Sequence, residues 1–381
     1  MQKNTKLNQE DMALLAGLPG LFLEWYRTKA RNLPWRQNRQ PYGVWLSEIM
    51  LQQTRVEAVK GFYQRFLEAL PDIEALAAAS EEQVFKLWEG LGYYRRARNL
   101  HRAAQIVVSE HQGVFPADYE GILALPGIGE YTAGAVASIC FGIAKPAVDG
   151  NVLRVMARLL DSDEAIDQPA FKKKVGQGLE AVMAGSPGDA ALDSLSISFD
   201  PGDFNQSLME IGAMICLPKG MPKCGQCPAR QLCRGYASGR AELLPVRQVK
   251  KPRRIEERTV FILQRGEEIA LCRRCDQGLL AGLWELPNVA GRLSPDQAMA
   301  QAAAWGLCPV ALEKSLERTH VFSHVEWRMT GYFIGCAAGG EGTALQKEEL
   351  QETAKELEWT SARQRQLAHP LPAAFSLFLE E

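Results

Sequence analysis

Apolar residues in the first part of the chain recur at helical spacing. Leu21 and Trp25 fall on one face of a 3.6-residue repeat, and the segments 81–91 and 99–109 continue this pattern. The pattern predicts an all-helical domain over residues 1–238.

The pattern changes in the last third of the chain. Short runs rich in β-branched and aromatic residues at 259–263, 269–272 and 329–334 predict strands, and a helical pattern lies among them at about 295–305. Residues 259–381 are therefore predicted to form an α+β domain, which makes the chain a multidomain protein.

Composition is that of a folded protein of two or three domains. The chain has 381 residues, of which 46% are hydrophobic and 23% are charged. No apolar run approaches the length of a membrane span, and Met1–Glu10 has neither the apolar core nor the arginines of a targeting peptide. We therefore expect a cytoplasmic protein without a membrane partner, whose nine cysteines are reduced or bind metal.

The net charge of −2 is an average over unlike segments, although taken alone it argues against a nucleic-acid binder. Residues 239–258 hold seven basic and three acidic residues, whereas residues 259–381 hold 11 basic and 16 acidic. We predict that 239–258 is a basic interdomain linker, while noting that most basic tracts are simply solvated chain. Gly, Ser, Asp and Pro residues in 185–203 predict a loop.

A glycine turn divides two helical patterns. Gly127 and Gly129 resemble part of a dinucleotide-binding fingerprint, but the preceding segment is helical and the third glycine is missing. A helix–hairpin–helix over residues 118–142 fits better, because glycines permit the tight turn and the free amides of the next helix can face a phosphate. A plain turn is the alternative, and Asp149 downstream could simply be a helix N-cap.

Four cysteines lie within eighteen residues: Cys216, Cys224, Cys227 and Cys233. In a chain without an export signal, this density predicts a metal site over residues 216–233. Zinc sites with four thiolates usually contain two Cys-x2-Cys pairs, and this segment has one, whereas iron–sulfur clusters accept irregular spacing. The other five cysteines are predicted to be bystanders.

The glycine hairpin and the following Val148-Asp149-Gly150-Asn151-Val152 resemble the helix–hairpin–helix DNA glycosylase superfamily. The resemblance implies that Asp149 is essential and that the cysteines hold a [4Fe–4S] cluster, although the first cysteine gap is one residue longer here. Members with lyase activity carry a lysine where this chain has Tyr131. A phenol cannot form a Schiff base, so no amine-driven lyase step is expected.

Three further segments resemble the MutY-type adenine DNA glycosylases. They are Leu33–Arg36 with 47–56, then 90–100, and then 279–287 in the C-terminal domain. The resemblance implies that Glu48 protonates the base, because a carboxylic acid in an apolar pocket can keep its proton near neutral pH. Taken alone, Glu48 would be a solvated helix residue.

The resemblance also implies roles for other residues of both domains. Tyr131 and Asn151 would hold the two carboxylates, and Tyr93 would wedge into the DNA stack. Residues implied to bind adenine or DNA are Arg31, Leu33, Trp35, Arg36, Gln53, Thr54, Gly127, Gly129 and Gln206.

The C-terminal domain resembles the Nudix (MutT-like) domain of these glycosylases. Residues 299–307 lack the carboxylates that Nudix hydrolysis needs for metal ions, so the domain is predicted to recognise a base without hydrolysing nucleotides. By the same resemblance, Phe322, Ser323 and His324 form a loop that senses 8-oxoguanine, although Phe-Ser-His alone would be an ordinary strand turn.

The resemblance therefore implies a monofunctional glycosylase that removes adenine opposite 8-oxoguanine or guanine in double-stranded DNA. We expect a monomer associated with the bacterial nucleoid. The alternatives are a mismatch thymine glycosylase, a lesion-binding protein without catalysis, and a nucleotide pyrophosphohydrolase. The presence of Glu48 and Asp149 disfavours a lesion-binding protein without catalysis. The lack of carboxylates in residues 299–307 disfavours a nucleotide pyrophosphohydrolase.

Overall fold

The computed structural model describes residues 6–185, 199–249, 252–275, 277–337 and 357–379. It divides into two compact units, each made of two stretches of chain. The helical unit comprises Met1–Ala78 with Asn99–Lys250, and the mixed unit comprises Ala79–Arg98 with Lys251–Glu381. The segment 79–98, which the helical pattern assigns to the first domain, thus groups with the C-terminal residues.

The helices described, in chain order, are α1 (Gln9–Ala16), α2 (Leu18–Lys29), α3 (Pro41–Leu51), α4 (Val56–Ala69), α5 (Ile73–Ala78), α6 (Glu81–Trp88), α7 (Arg95–His111), α8 (Tyr119–Ala124), α9 (Glu130–Phe141), α10 (Gly150–Leu159), α11 (Pro169–Gly185), α12 (Pro201–Met214), α13 (Arg234–Ala237), α14 (Pro295–Ala304), α15 (Ala362–Ala368) and α16 (Ala373–Ser376).

The strands described are β1 (Arg254–Arg265), β2 (Glu268–Arg273), β3 (Trp284–Glu285), β4 (Asn288–Ala290), β5 (Pro309–Val321), β6 (Val325–Cys336) and β7 (Glu358–Thr360). The predicted fold class, a helical domain followed by an α+β domain, is confirmed. Its physical basis is the change from a 3.6-residue apolar repeat to short runs of β-branched and aromatic residues.

The core of the helical unit brings together α1, α2, α10, α11 and α12 around fully buried side chains.

Glycines let some helices approach closely. A Cβ atom at Gly212 of α12 would lie 2.7 Å from Cβ of Asn151, and one at Gly134 of α9 would collide with the carbonyl of Pro146. Backbone contact therefore fixes the segment that carries Asp149 between α9 and α12.

Helices α8 and α9 form the predicted hairpin. Asp118 caps α8 by accepting a hydrogen bond from the amide of Gly121, and Gly142 ends α9 with φ at +66°. Gly127 in the connecting turn has φ at +79°, a conformation that other residues rarely adopt, and Gly129 is the N-cap of α9. Gly129 and Glu130, where α9 begins, are exposed.

Within the part of the chain that the structure describes, the mixed unit is built on a seven-stranded sheet. Its main path has the order β3-β2-β1-β6-β5, with β4 paired to β1 and β7 paired to β2. Strands β1 and β6 are parallel from Arg254↔Val325 to Gln264↔Gly335, and the other pairs are antiparallel.

Successive residues of β1 point to opposite faces of this sheet, and both faces are covered. Val260 and Ile262 pack with Phe375 of α16, whereas Phe261 and Leu263 pack with Trp305 after α14. This two-sided burial explains why β1 reads as a continuous apolar run rather than an alternating one.

Parts of the chain predicted as linker make contacts within their units. In the helical unit, Arg158 donates a hydrogen bond to the carbonyl of Leu244. The amide of Ile166 donates to the carbonyl of Val246. Residues Arg254–Arg258 already belong to β1. Most of the predicted loop at 185–203 lies outside the described residues.

Among the described residues, no helix combines the length and the apolar character that a membrane crossing requires.

Candidate active site

A cavity of about 170 Å³ in the helical unit collects most of the residues implied for base binding and catalysis. Those that line it are Arg31, Leu33, Trp35, Arg36, Glu48, Thr54, Tyr131, Asp149, Asn151 and Gln206. They come from five separate stretches of sequence, and two carboxylates face the same space.

Glu48 lies on the buried face of α3 and is 6% exposed. Its Oε2 accepts a hydrogen bond of 2.5 Å from the Tyr131 hydroxyl. Burial raises the pKa of Glu48 to about 7, with the Tyr131 bond and Arg36 opposing the rise and Asp149 adding to it. Glu48 can therefore carry a proton near neutral pH, as a general acid must.

Asp149 caps α10 and also faces the cavity. Its Oδ1 accepts from the amide of Val152 at 2.8 Å, and its Oδ2 accepts from Nδ2 of Asn151 at 2.7 Å. Burial raises the pKa of Asp149, and these two hydrogen bonds oppose that rise. The N-cap and active-site interpretations of Asp149 are therefore compatible, because each role uses a different oxygen.

Asn151 is held in turn by a buried arginine. Nη2 of Arg154 donates to Oδ1 of Asn151 at 2.9 Å and to the carbonyl of Gly212, and its Nε donates to the carbonyl of Cys216 at 2.8 Å. A continuous set of hydrogen bonds thus runs from Asp149 to the backbone of the first cysteine in the predicted metal site.

Glu210 is a site residue that sequence reasoning missed. It lies on α12, and its side chain is 1% exposed. It accepts three hydrogen bonds from Arg31, two from the guanidinium and one from the backbone amide, and one from Arg36 at 2.8 Å. Burial favours its neutral form, but these bonds outweigh burial and lower its pKa to about 2.

Glu210 thereby fixes two cationic side chains at the cavity. Arg36 also lies over the ring of Tyr26, 5.4 Å from the centroid.

Other lining residues that sequence reasoning missed include Ser47, Leu51 and Met209. Sδ of Met209 lies 3.3 Å from the Tyr131 hydroxyl and is a second acceptor for its proton.

Some implied DNA-binding residues of the helical unit do not line this cavity. Gln53 is exposed after α3 with φ at +59°, and Gly127 and Gly129 lie in the α8–α9 hairpin. These positions present side chain or backbone to solvent, which suits contact with a duplex.

The remaining implied residues belong to the mixed unit. Tyr93 is 49% exposed, and its hydroxyl lies 3.2 Å from Oγ of Ser323. Phe322, Ser323 and His324 form the tip of the β5–β6 hairpin, where the amide of Phe322 donates to the carbonyl of Val325. The residue implied to wedge into the DNA stack and the loop implied to sense 8-oxoguanine are therefore neighbours within one unit.

The four predicted metal-binding cysteines line one small cavity of about 30 Å³ in the helical unit. Nη1 of Arg158 donates to Sγ of Cys216 at 3.2 Å. Among the described residues, no three His, Cys, Asp or Glu side chains are close enough together to hold a single metal ion.

Comparison with known proteins identifies the superfamily of each part of the chain. Residues 46–180 match the HhH-GPD superfamily of base excision DNA repair proteins, and residues 259–381 match the NUDIX domain.

Two curated relatives extend over most of the chain. The adenine DNA glycosylase of Homo sapiens is 34% identical, covering 87% of this chain and 69% of its own length. The adenine DNA glycosylase of Rattus norvegicus is 32% identical, covering 97% and 79% respectively.

Among solved structures, a thermostable thymine-DNA glycosylase is 28% identical with a TM-score of 0.51. It covers 59% of this chain and 98% of its own. The predicted DNA glycosylase class is thereby confirmed. From the cavity, the hairpin and the match with curated relatives across both units, the chain belongs to the adenine DNA glycosylase family of base excision repair enzymes.

Proposed function

We propose that this chain hydrolyses the N-glycosidic bond of adenine mispaired with 8-oxoguanine or guanine in double-stranded DNA, leaving an abasic site. The observation that carries the proposal is the pairing of a protonatable Glu48 and a hydrogen-bonded Asp149 in one cavity. Glu48 is buried at this cavity, so the adenine must be flipped out of the duplex to reach it.

Glu48 supplies the proton that makes adenine a leaving group. Its protonated carboxyl donates to N7 of the flipped base, and the C1′–N9 bond then breaks with its electron pair passing to the base. Tyr131 orients the acid through its 2.5 Å hydrogen bond. Because burial disfavours the charged form, the carboxyl is a ready proton donor at neutral pH.

Asp149 stabilises the sugar cation that remains. Its carboxylate faces the cavity, and Asn151 and the amide of Val152 fix its direction. An oriented anion in a site with little water stabilises an oxocarbenium ion more strongly than solvent does. Water then adds at C1′ to give the abasic product. The site cavity contains the phenol of Tyr131 and no lysine, so the reaction ends without Schiff-base strand cleavage.

The mixed unit supplies preference for the base opposite adenine. Phe322, Ser323 and His324 at the β5–β6 tip offer a ring face, a hydroxyl and an imidazole, and Tyr93 lies beside Ser323. The Phe322 ring packs edge-on against Trp327 at 4.9 Å between centroids, which holds the loop in place. These groups are suited to contact 8-oxoguanine through stacking and hydrogen bonds.

Cys216, Cys224, Cys227 and Cys233 would hold a [4Fe–4S] cluster. When bound, the cluster would fix the loop 216–233. The chain's own contribution there is Arg158, which donates to Sγ of Cys216 and to the carbonyl of Leu217 at 2.9 Å.

A thymine glycosylase is the second candidate, favoured by the 28% identity to a thymine-DNA glycosylase over the helical part. The two functions are separated by a single-turnover glycosylase assay on four duplexes, with A or T opposite G or 8-oxoguanine. We expect release of adenine and little release of thymine. Faster release of thymine than of adenine would overturn the adenine proposal.

A further inference from the structure

The segment that carries Tyr93 is attached to the C-terminal part of the chain at two places. Residues 79–98 match the glycosylase superfamily in sequence, yet they group with residues 251–381 in the mixed unit. Tyr93 lies between the two attachments, in a tight turn formed by residues 90–93.

The first attachment is made at the end of α6. Oε1 of Glu89 accepts a hydrogen bond of 2.9 Å from the backbone amide of Leu371, a residue that is 8% exposed. Oε2 of Glu89 accepts from Nζ of Lys86 at 2.5 Å, and the same Nζ donates to the carbonyl of Arg365 in the last turn of α15. A cation at the C-terminus of a helix is favourable, so the Lys86–Glu89 pair joins α6 to the chain on both sides of the end of α15.

The second attachment is made by Arg98 in α7. Its guanidinium donates to Oε1 of Glu81 and, at 2.9 Å, to the carbonyl of Ala281 in the mixed unit. It also lies over the ring of Phe85, 5.1 Å from the centroid. Arg98 thus joins the start of α7 both to α6 and to the chain before β3.

The turn between these attachments is internally rigid. Gly90 and Gly92 have φ at +98° and +69°, and Tyr93 itself has φ at +49°, which costs a non-glycine residue about 1 kcal/mol. The indole of Trp88 and the guanidinium of Arg96 both donate to the carbonyl of Gly92. A rigid turn transmits the position of its ends to the Tyr93 ring.

We propose that Glu89 and Arg98 are positioning residues that hold the Tyr93 turn beside the Phe322–His324 loop, and that this attachment sets the preference for adenine opposite 8-oxoguanine over adenine opposite guanine. The inference rests on the proposed function and names residues that do not line the cavity. Their effect acts through the distance between the Tyr93 and Ser323 hydroxyls.

The test compares Glu89→Ala with Glu89→Gln in the full-length chain. The glutamine keeps an oxygen for the Leu371 amide, and the alanine does not. Single-turnover rates are measured on duplexes with A opposite 8-oxoguanine and A opposite G. In Glu89→Ala we expect the ratio of the two rates to fall about fivefold, the effect of losing one hydrogen bond. In Glu89→Gln the ratio should stay within about twofold of the unsubstituted chain. Glu57→Ala, which removes an exposed ion pair with Lys60, is the matched control.

Hydrogen exchange at Leu371 checks the contact itself, and its protection should drop in Glu89→Ala and persist in Glu89→Gln. An unchanged rate ratio in a folded Glu89→Ala variant overturns the inference, as does an equal loss on both duplexes. If Glu89→Ala does not fold, Arg98→Met is measured with the same criteria. An unsubstituted chain that releases no adenine from either duplex overturns the proposed function and the inference together, whereas an undiminished preference for 8-oxoguanine in Glu89→Ala overturns only the inference.

Discussion

The hydroxyl oxygens of Tyr93 and Ser323 lie 3.2 Å apart, although 230 residues separate them in sequence. Either can donate the shared hydrogen bond. This hydrogen bond directly links the residue implied to enter the DNA stack to the loop implied to sense the opposite base. Insertion of Tyr93 into the stack would therefore constrain the position of the loop that carries Ser323.

This link predicts non-additive substitutions. Tyr93→Phe and Ser323→Ala each remove one hydroxyl, and each should lower the rate preference for 8-oxoguanine over guanine by about fivefold, the effect of one hydrogen bond. Because both remove the same bond, the double variant should lose little more than either single variant. Single-turnover kinetics of the four proteins measure this, and fully multiplicative losses would contradict the link.

Adenine release should depend on the protonation of Glu48. Burial raises the pKa of Glu48 to about 7, so the acid form is present below that pH and is lost as the pH rises through it. The single-turnover rate should therefore be high below pH 7 and decline above it.

Tyr131→Phe tests the assignment of this pH dependence. The Tyr131 hydrogen bond lowers the pKa of Glu48, so its removal should move the alkaline limb of the profile to higher pH, even if the maximal rate falls. If the alkaline limb of the profile lies at the same pH in Tyr131→Phe, a group other than Glu48 causes the decline in rate.

Asp149→Asn should reduce adenine release by about 100- to 1000-fold, because an amide cannot stabilise the sugar cation. Duplex binding should persist, since the amide oxygen can still cap α10. Asp118→Asn makes the same change at the N-cap of α8 and should leave the rate unaltered. Adenine release by Asp149→Asn at the unsubstituted rate would refute the role of Asp149.

Glu210→Gln should destabilise the chain by about 3 kcal/mol, because it leaves Arg31 and Arg36 without their buried counterion. Glu57→Gln changes an exposed pair and should cost less than about 1 kcal/mol. Urea denaturation of both variants measures the difference. Equal free energies of unfolding for Glu210→Gln and Glu57→Gln would mean that solvent compensates Arg31 and Arg36 for the loss of the Glu210 charge.

Cys224→Ser should lower the iron and sulfide content and the visible absorbance of the purified protein, if the four thiols bind a cluster. Cys275→Ser replaces an exposed cysteine outside the site and should change neither. Zinc in the unsubstituted protein, without sulfide, would exclude an iron–sulfur cluster.

Local signals made parts of this structure predictable. The glycine turn and the Asp149 cap depend on neighbours within a few residues, and helix and strand types follow from apolar periodicity. Glu210 was missed because its partners, Arg31 and Arg36, lie 179 and 174 residues away and α12 shows no motif around it. Assignment of 79–98 to the mixed unit likewise depends on distant contacts, such as that of Glu89 with Leu371.

The glycines at the contacts of α12 and α9 have a practical consequence for redesign. Backbone contacts at Gly212 and Gly134 place the Asp149 segment, so its position does not depend on side chains such as Leu51 and Met209. Libraries that vary those side chains can change which base the cavity accepts while the catalytic aspartate stays in place. Substitution of either glycine, by contrast, would move the aspartate in every member of such a library.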